Sequence, residues 1–214
     1  IAGKKGLEAA ARDARYAFFN TLPGKIATAH TADDNAETVL MHLVRGTGLK
    51  GLGGIAPKNG KLVRPMLSVT RQEVLAFLEE YNLGYITDSS NETDDFLRNR
   101  LRHHMMPLLQ KENPRFAENT SATALRLRQD EVALASLAVE QEPTVSYLRS
   151  LPEAIRNRAY AAYLESCGVI EPEAEHISLA ESLIFSEKPS ARAQFPGGVT
   201  IWRSYDRLVV QEDK

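Results

Sequence analysis

Cysteine is nearly absent: Cys167 is the only one in 214 residues. That scarcity excludes a disulfide framework, a cysteine-built zinc site and a CxxC redox pair, and it fits a reducing cytosol. No apolar run approaches the roughly 20 residues of a membrane span, and the opening stretch IAGKKGLEAA has no signal-peptide core. The expectation is a cytoplasmic protein without membrane partners. A net charge of −2 means that no global positive field announces a polyanion, so any basic footprint must be local. Internal repeats and low-complexity tracts are also missing. The chain opens on Ile1 rather than Met, close to a helix, which suggests sequence upstream.

What is present is ordinary globular composition, 43% hydrophobic and 25% charged, enough for one large or two small domains. Hydrophobic spacing predicts a helix over Leu7 to Asn20, with Leu7, Ala11, Ala14 and Phe18 on one face and Glu8 paired with Arg12. LPGK breaks it. KIATAH (Lys25 to His30) reads as a strand. A helix follows from about Asp34 to Arg45, its buried stripe Ala36, Val39, Leu40 and Leu43. Asp34 and Glu37 stand at capping-box spacing, and Gly46 is the stop. A glycine-rich loop runs to Gly60, then KLVRPM reads as a second strand ended by Pro65.

Thr70 and Glu73 open a further helix, with Val74, Leu75, Phe77, Leu78 and Tyr81 as its core side. YIT (Tyr85 to Thr87) reads as a third strand, DSSNETDD as a loop knitted by Asp88, Ser90 and Asn91, and Phe96 to Leu109 as a helix. Strands alternating with helices imply an α/β domain with a parallel sheet. Phe116 to about Gln141 reads as one long connector helix, followed by helices over Leu151 to Gly168 and Ala174 to Ser186. ARAQFPGGVTIWRSYDRLVVQE then reads as antiparallel strands turning at Gly197-Gly198, with Trp202 on the middle one. The expected domains are residues 1–110, a connector over 111–142, and a helical second domain with a β-hairpin over 143–214.

Two constellations could carry chemistry. Ligands of open parallel sheets bind at strand carboxyl ends, where helix N-termini also point and favour anions. His30, Asp33 and Asp34 converge there, and Arg45, Gly46 and Gly48 form a turn after the same helix. The plain alternative is a packed histidine, a capping aspartate and a capping-box glutamate, but one aspartate suffices for a cap. Secondly, Arg98 and Arg102 fall at i,i+4, where two planar guanidiniums suit phosphate or carboxylate. From Arg98 to Arg128 there are seven Lys or Arg against two Asp or Glu, a local +5. The alternative is a solvated basic helix. Glu8, Arg12 and Arg15 read as a surface ladder, and His103-His104 lacks a third metal ligand at usable spacing.

In order, LEAAARDARY, HTADDNAETVLMHLVRGTGLKGL, RPM, and DSSN followed by RNRLR resemble the tRNA(Ile)-lysidine synthetase family, bacterial PP-loop (N-type) ATP pyrophosphatases. The similarity covers roughly residues 7 to 102, and SLPEAIRNRAYAAYL and FPGGVTIWRSYDRLVV extend it more loosely. One departure is large: the family's phosphate loop, Ser-Gly-Gly-x-Asp-Ser, does not occur here. The sequence opens about where the family's third helix would begin, so this stretch alone is expected to be inactive.

The resemblance implies an adenine nucleotide alpha hydrolase-like, partial Rossmann-like domain. The implied reaction uses ATP and Mg²⁺ to join L-lysine to the wobble cytidine of a CAU-anticodon isoleucine tRNA. An adenylated cytidine is the intermediate, and AMP and pyrophosphate are released. It assigns His30, Asp33 and Asp34 to catalysis and Asp34, Glu37, Arg98 and Arg102 to lysine. Arg45, Gly46 and Gly48 go to the cytidine or adenylate pocket, and Arg98, Arg100, Arg102, Arg126 and Arg128 to tRNA. No metal ligand is expected within this stretch, and a homodimer is left open. The rivals are a tRNA thiolase, disfavoured by the single thiol, a GMP-synthetase-like amination, which leaves the basic helix unexplained, and a tRNA-binding module without catalysis.

Overall fold

The computed structural model describes residue 10 and residues 14–86, 93–138 and 143–211. The start of the first helix, Glu8 and Arg12, and the loop residues Asp88, Ser90 and Asn91 lie outside them. The chain divides into two units, Ile1–Gln129 and Asp130–Lys214.

In the first unit, helix α1 covers residues 14–21 and leads to β1 (Ile26–Ala27), shorter than the six-residue strand expected. Next come α2 (Ala32–Arg45), α3 (Leu49–Leu52), β2 (Lys58–Asn59), β3 (Leu62–Val63) and α4 (Arg71–Glu80). β1 and β3 pair in parallel, Ile26 opposite Leu62, as the α/β reading requires. β2 falls where the sequence suggests only loop; it pairs antiparallel with β3 across the two-residue turn Gly60-Lys61. Gly60 stands first in that turn at φ +57°, the position where such turns take positive φ. Tyr85 and Ile86, expected in a third strand, carry no strand pairing, and Ile86 is almost fully exposed. Thr87 is outside the described residues. The apolar side of α4 is not buried either: Phe77 and Tyr81 stack on each other at 4.5 Å and remain half in solvent.

α5 (Leu97–Arg100), a π-helical turn (Leu101–Met105) and α6 (Met106–Glu112) form one continuous helical run. At the π-turn the Met106 N–H reaches back five residues to the Leu101 carbonyl. α7 spans Phe116–Ser136. The small core of this unit gathers Ala32 and Ala36 of α2, Met106 of α6 and Ala117 of α7.

The second unit holds α8 (Val145–Ser150), α9 (Glu153–Ser166), α10 (Ala174–Phe185) and strands β4 (Arg192–Gln194), β5 (Thr200–Ser204) and β6 (Arg207–Gln211). α8 is an addition to the expected elements, although Thr144 is a plain N-cap whose hydroxyl accepts from the Tyr147 N–H. The sheet is antiparallel in the order β4-β5-β6. Gly197 and Gly198 turn the chain with φ of +77° and +78°, and Trp202 sits on the middle strand, both as expected. Leu148, Tyr160, Leu164, Ile184 and Ile201 are buried together between helices and sheet.

Candidate ligand site at the start of α2

α2 begins two residues earlier than its sequence pattern suggests, because Thr31 rather than an aspartate is its N-cap. The Thr31 hydroxyl accepts from the Asp34 N–H, and Asp34 Oδ2 accepts from the Thr31 N–H at 2.9 Å. The capping box is therefore Thr31 with Asp34, not Asp34 with Glu37. This frees Glu37, one turn further on, for another role. The buried positions of α2 are Ala32, Asn35, Ala36 and Glu37, so the inner face carries two polar side chains, while Leu43, expected in the stripe, is more than half exposed.

Glu37 is 2% exposed, and an isolated buried carboxylate is costly. Its compensation comes from the helical run 97–112. Glu37 Oε1 accepts from Arg102 Nε at 2.6 Å, and Oε2 accepts from Arg98 Nε at 2.9 Å and Arg102 Nη2 at 2.8 Å. Asp34 Oδ1 completes the cluster, accepting from Arg98 Nη2 at 2.8 Å and Arg102 Nη2 at 3.3 Å. Two carboxylates and two guanidiniums thus form a neutral tetrad of charge-assisted bonds. Burial works against the Arg102 charge, but its bonds to Glu37 and the charges of Glu37, Asp34 and Asp33 outweigh it and raise its pKa. The outer members, Arg98 and Asp34, keep 35% and 22% of their side chains accessible. A pocket of about 280 Å³ adjoins the tetrad, lined by Asp33, Glu37, Arg71, Arg102, His103, Met106 and Gln110.

The topology explains the convergence. β1 and β3 are parallel, so the helices that follow them start at the same sheet end, and the Ala32 N–H bonds the Val69 carbonyl at 2.8 Å. His30 lies in the link from β1 to α2, its Nδ1 2.9 Å from the Thr28 hydroxyl. Asp33 bonds outside the tetrad: its Oδ2 accepts from the Arg71 N–H, the first of α4, at 2.6 Å. The apparent excess of carboxylates at the start of α2 therefore serves two helix starts and a partly buried arginine pair.

The remaining sequence candidates are not brought to this place. Arg45, the last residue of α2, and Gly46 and Gly48 beyond it are exposed. Gly46 closes the helix at φ +72°, and open space surrounds Gly48. The expected tRNA-binding arginines do not form one stripe. Arg98 and Arg102 are neutralised in the tetrad, Arg100 bonds the carbonyls of Asp94 and Asp95, Arg126 bonds the Thr123 hydroxyl, and Arg128 turns into a pocket against the carbonyls of Gly53 and Gly54. The local +5 is correspondingly diluted.

Sequence reasoning missed two polar anchors. Asn35, 3% exposed, accepts from the Ile55 N–H at 2.6 Å and donates to the Ser121 hydroxyl at 2.9 Å, tying α2 to the glycine loop and α7. Asp94 bridges His103 Nδ1 and His104 Nε2, each at 2.7 Å, and these bonds, His104 first, hold its carboxyl below the usual aspartate range. An asparagine inside an apolar stripe was the available signal for the first; the second depends on a contact nine and ten residues away. Among the described residues no three His, Cys, Asp or Glu side chains gather as metal ligands, so the tetrad does not fit a magnesium site. Burial pushes the Cys167 thiol up, away from the thiolate that sulfur transfer needs. No helix among the described residues is long and apolar enough to cross a membrane.

Comparison with known proteins places these features in one lineage. Residues 1–109 match the PP-loop domain and residues 144–209 the TilS substrate binding domain. A tRNA(Ile)-lysidine synthase of Geobacter sulfurreducens is 38% identical over 94% of this chain and 48% of its own length. That of Geobacillus kaustophilus is 34% identical over 97% of this chain and 50% of its own length. A third, from Parabacteroides distasonis, is 46% identical over 54% of this chain and 27% of its own length. The chain spans about half the length of the first two relatives. With half of its residues matched by the PP-loop domain and most of the rest by the TilS substrate binding domain, it belongs to the PP-loop family.

Proposed function

We propose that this chain is part of a tRNA(Ile)-lysidine-forming ligase and that the Asp34-Glu37-Arg98-Arg102 tetrad is its lysine-recognition site. The observation that carries the proposal is the alternation of opposite charges at the sheet end where α2 starts. Free lysine brings an ammonium and a carboxylate on one carbon and a second ammonium on its side chain. Opening the more exposed Asp34–Arg98 bond presents a carboxylate to an ammonium and a guanidinium fork to the carboxylate. The inner Glu37–Arg102 pair stays closed and holds the geometry, so charge balance is kept throughout.

In the proposed reaction ATP adenylates the carbonyl oxygen of the wobble cytidine in a CAU-anticodon isoleucine tRNA, releasing pyrophosphate. The lysine ε-amine then attacks the activated carbon and AMP leaves with the cytidine oxygen. An ε-ammonium with a pKa near 10.4 must lose a proton before it can attack. His30, at the link from β1 to α2, would either pass that proton on or meet the transferring phosphate. Magnesium would supply charge neutralisation for the departing pyrophosphate, and the tetrad is not assigned to hold it. Arg45, Gly46 and Gly48 would border the cytidine or adenylate, Arg100 and Arg126 would meet tRNA phosphates, and the cytoplasm would be the place of action.

The test is lysine transfer by the full-length protein, given ATP, labelled lysine and isoleucine tRNA, with methionine tRNA as the acceptor to be rejected. Asp34→Asn should raise the apparent KM for lysine at least about tenfold, the loss of one charge-assisted contact. An unchanged KM would refute the assignment. A protein that binds the tRNA but transfers no lysine is a binding module instead.

A further inference from the structure

A pocket of about 630 Å³ in the first unit lies on the other side of α2, where Asn35 rather than Asp34 forms its wall. Three arginines line it, and Arg115 is held by Glu118, which leaves Arg64 and Arg128. Arg64, the first residue of the RPM stretch, is 8% exposed and donates from Nη1 to the Ala56 carbonyl at 2.6 Å. Arg128 donates from Nη2 to the carbonyls of Gly53 and Gly54 at 2.9 and 2.6 Å. Both heads therefore sit on the carbonyls of one four-residue loop segment, near enough that the Arg64 charge adds to burial in pulling the Arg128 pKa down.

These bonds use only a few of the ten N–H groups on two guanidiniums. Both Nε atoms are buried and meet no acceptor, and among the described residues neither arginine forms an ion pair. The carboxylates on the pocket wall are committed elsewhere. Glu73 closes the capping box with Thr70, and Glu118 holds Arg115. Arg64 is buried and Arg128 half-buried, and adjacent cations withdrawn from water repel and are expensive unless an anion compensates them. The loop carbonyls alone do not supply a negative charge. Two guanidiniums lining a cavity of about 630 Å³ can offer their remaining N–H groups to phosphoryl oxygens.

We infer that Arg64 and Arg128 form a phosphoryl-binding site in this pocket, separate from the tetrad, for a free pyrophosphate or nucleotide or for a phosphodiester of bound RNA. The site stands on these two residues and does not depend on the lysine reading. Arginine side-chain NMR tests it in the intact protein, following the Nε–H resonances of Arg64 and Arg128 against Arg203 as the control. Two probes are added separately, inorganic pyrophosphate and a CAU anticodon stem-loop RNA.

The expected result is saturable movement of both resonances with at least one probe, Arg203 staying still. Movement with pyrophosphate alone marks a free phosphate ligand, and movement with RNA alone marks a phosphodiester; either supports the site. The apparent Kd read at Arg128 should weaken about tenfold in Arg64→Gln. Should Arg64→Gln fail to fold, Arg64→Lys, which keeps the charge and loses the fork, should also weaken it. Resonances unmoved by both probes, or a Kd unchanged in the folded variant, would overturn the inference. Lysine transfer is not the readout, so the two proposals fail independently.

Discussion

Asp33, on the first turn of α2, accepts the backbone N–H of Arg71, thirty-eight residues away, at 2.6 Å. One helix thus caps the start of another, and the two helix N-termini are fixed at the same sheet end. Asp33→Ala should lower stability by about 1 kcal/mol, the usual value of an N-terminal cap. Urea denaturation measures it. A loss of lysine transfer far larger than that stability change would instead give Asp33 a direct part in the reaction.

Arg102 neutralises a carboxylate with almost no access to water, whereas its own side chain keeps 21%. Arg102→Met should destabilise by about 3 kcal/mol, the lower end for a broken buried pair because some water reaches the site. Replacing Glu37 with Leu as well should recover most of that loss, since the stranded charge goes with it. Denaturation midpoints of the single and double variants decide the matter. Lysine binding should be lost in both.

Gly54 is held at φ +58°, and a side chain there would place its Cβ 2.3 Å from Asn35 Oδ1. Gly54→Ala should cost more than about 1 kcal/mol, combining backbone strain with the displaced asparagine. Gly48 has φ −85° and open space around it, so Gly48→Ala should be nearly neutral. The contrast is read from thermal midpoints.

Asp94 offers a pH test. Its folded pKa lies below the ordinary value, through hydrogen bonds from His104 and His103. A lowered carboxyl pKa stabilises the fold above the unfolded value, and that contribution disappears as pH falls through the folded pKa. NMR titration of the Asp94 carboxyl should therefore give a midpoint below the usual aspartate range. In a variant with both histidines changed to alanine the midpoint should return to that range.

How much of the fold and site is legible in the sequence follows from where the causes lie. α2, α4, α7, α9, α10 and the glycine turn of the second sheet announce themselves through local spacing, caps and stops. The parallel pairing of β1 with β3 follows from strand–helix alternation. β2 escapes notice because the turn residue Gly60 sits at the end of a segment already rich in glycine. The tetrad's members all stand out in the sequence, but as separate binders of lysine and tRNA. Their pairing depends on two helices 61 to 68 residues apart meeting, which no local pattern reports. The division of labour between Asp33 and Asp34 likewise needs the position of α4.

The π-turn at Leu101–Met105 inserts one residue into the helical run that carries both tetrad arginines. Deleting a residue there would restore a regular helix but rotate everything before it by about 100° relative to α6. Arg98 would swing off Asp34 and Glu37 even though its identity was unchanged. Chain length in this stretch is therefore as binding a constraint as composition, and an alignment gap at this turn would mark a protein whose acidic pair must find a different counterion.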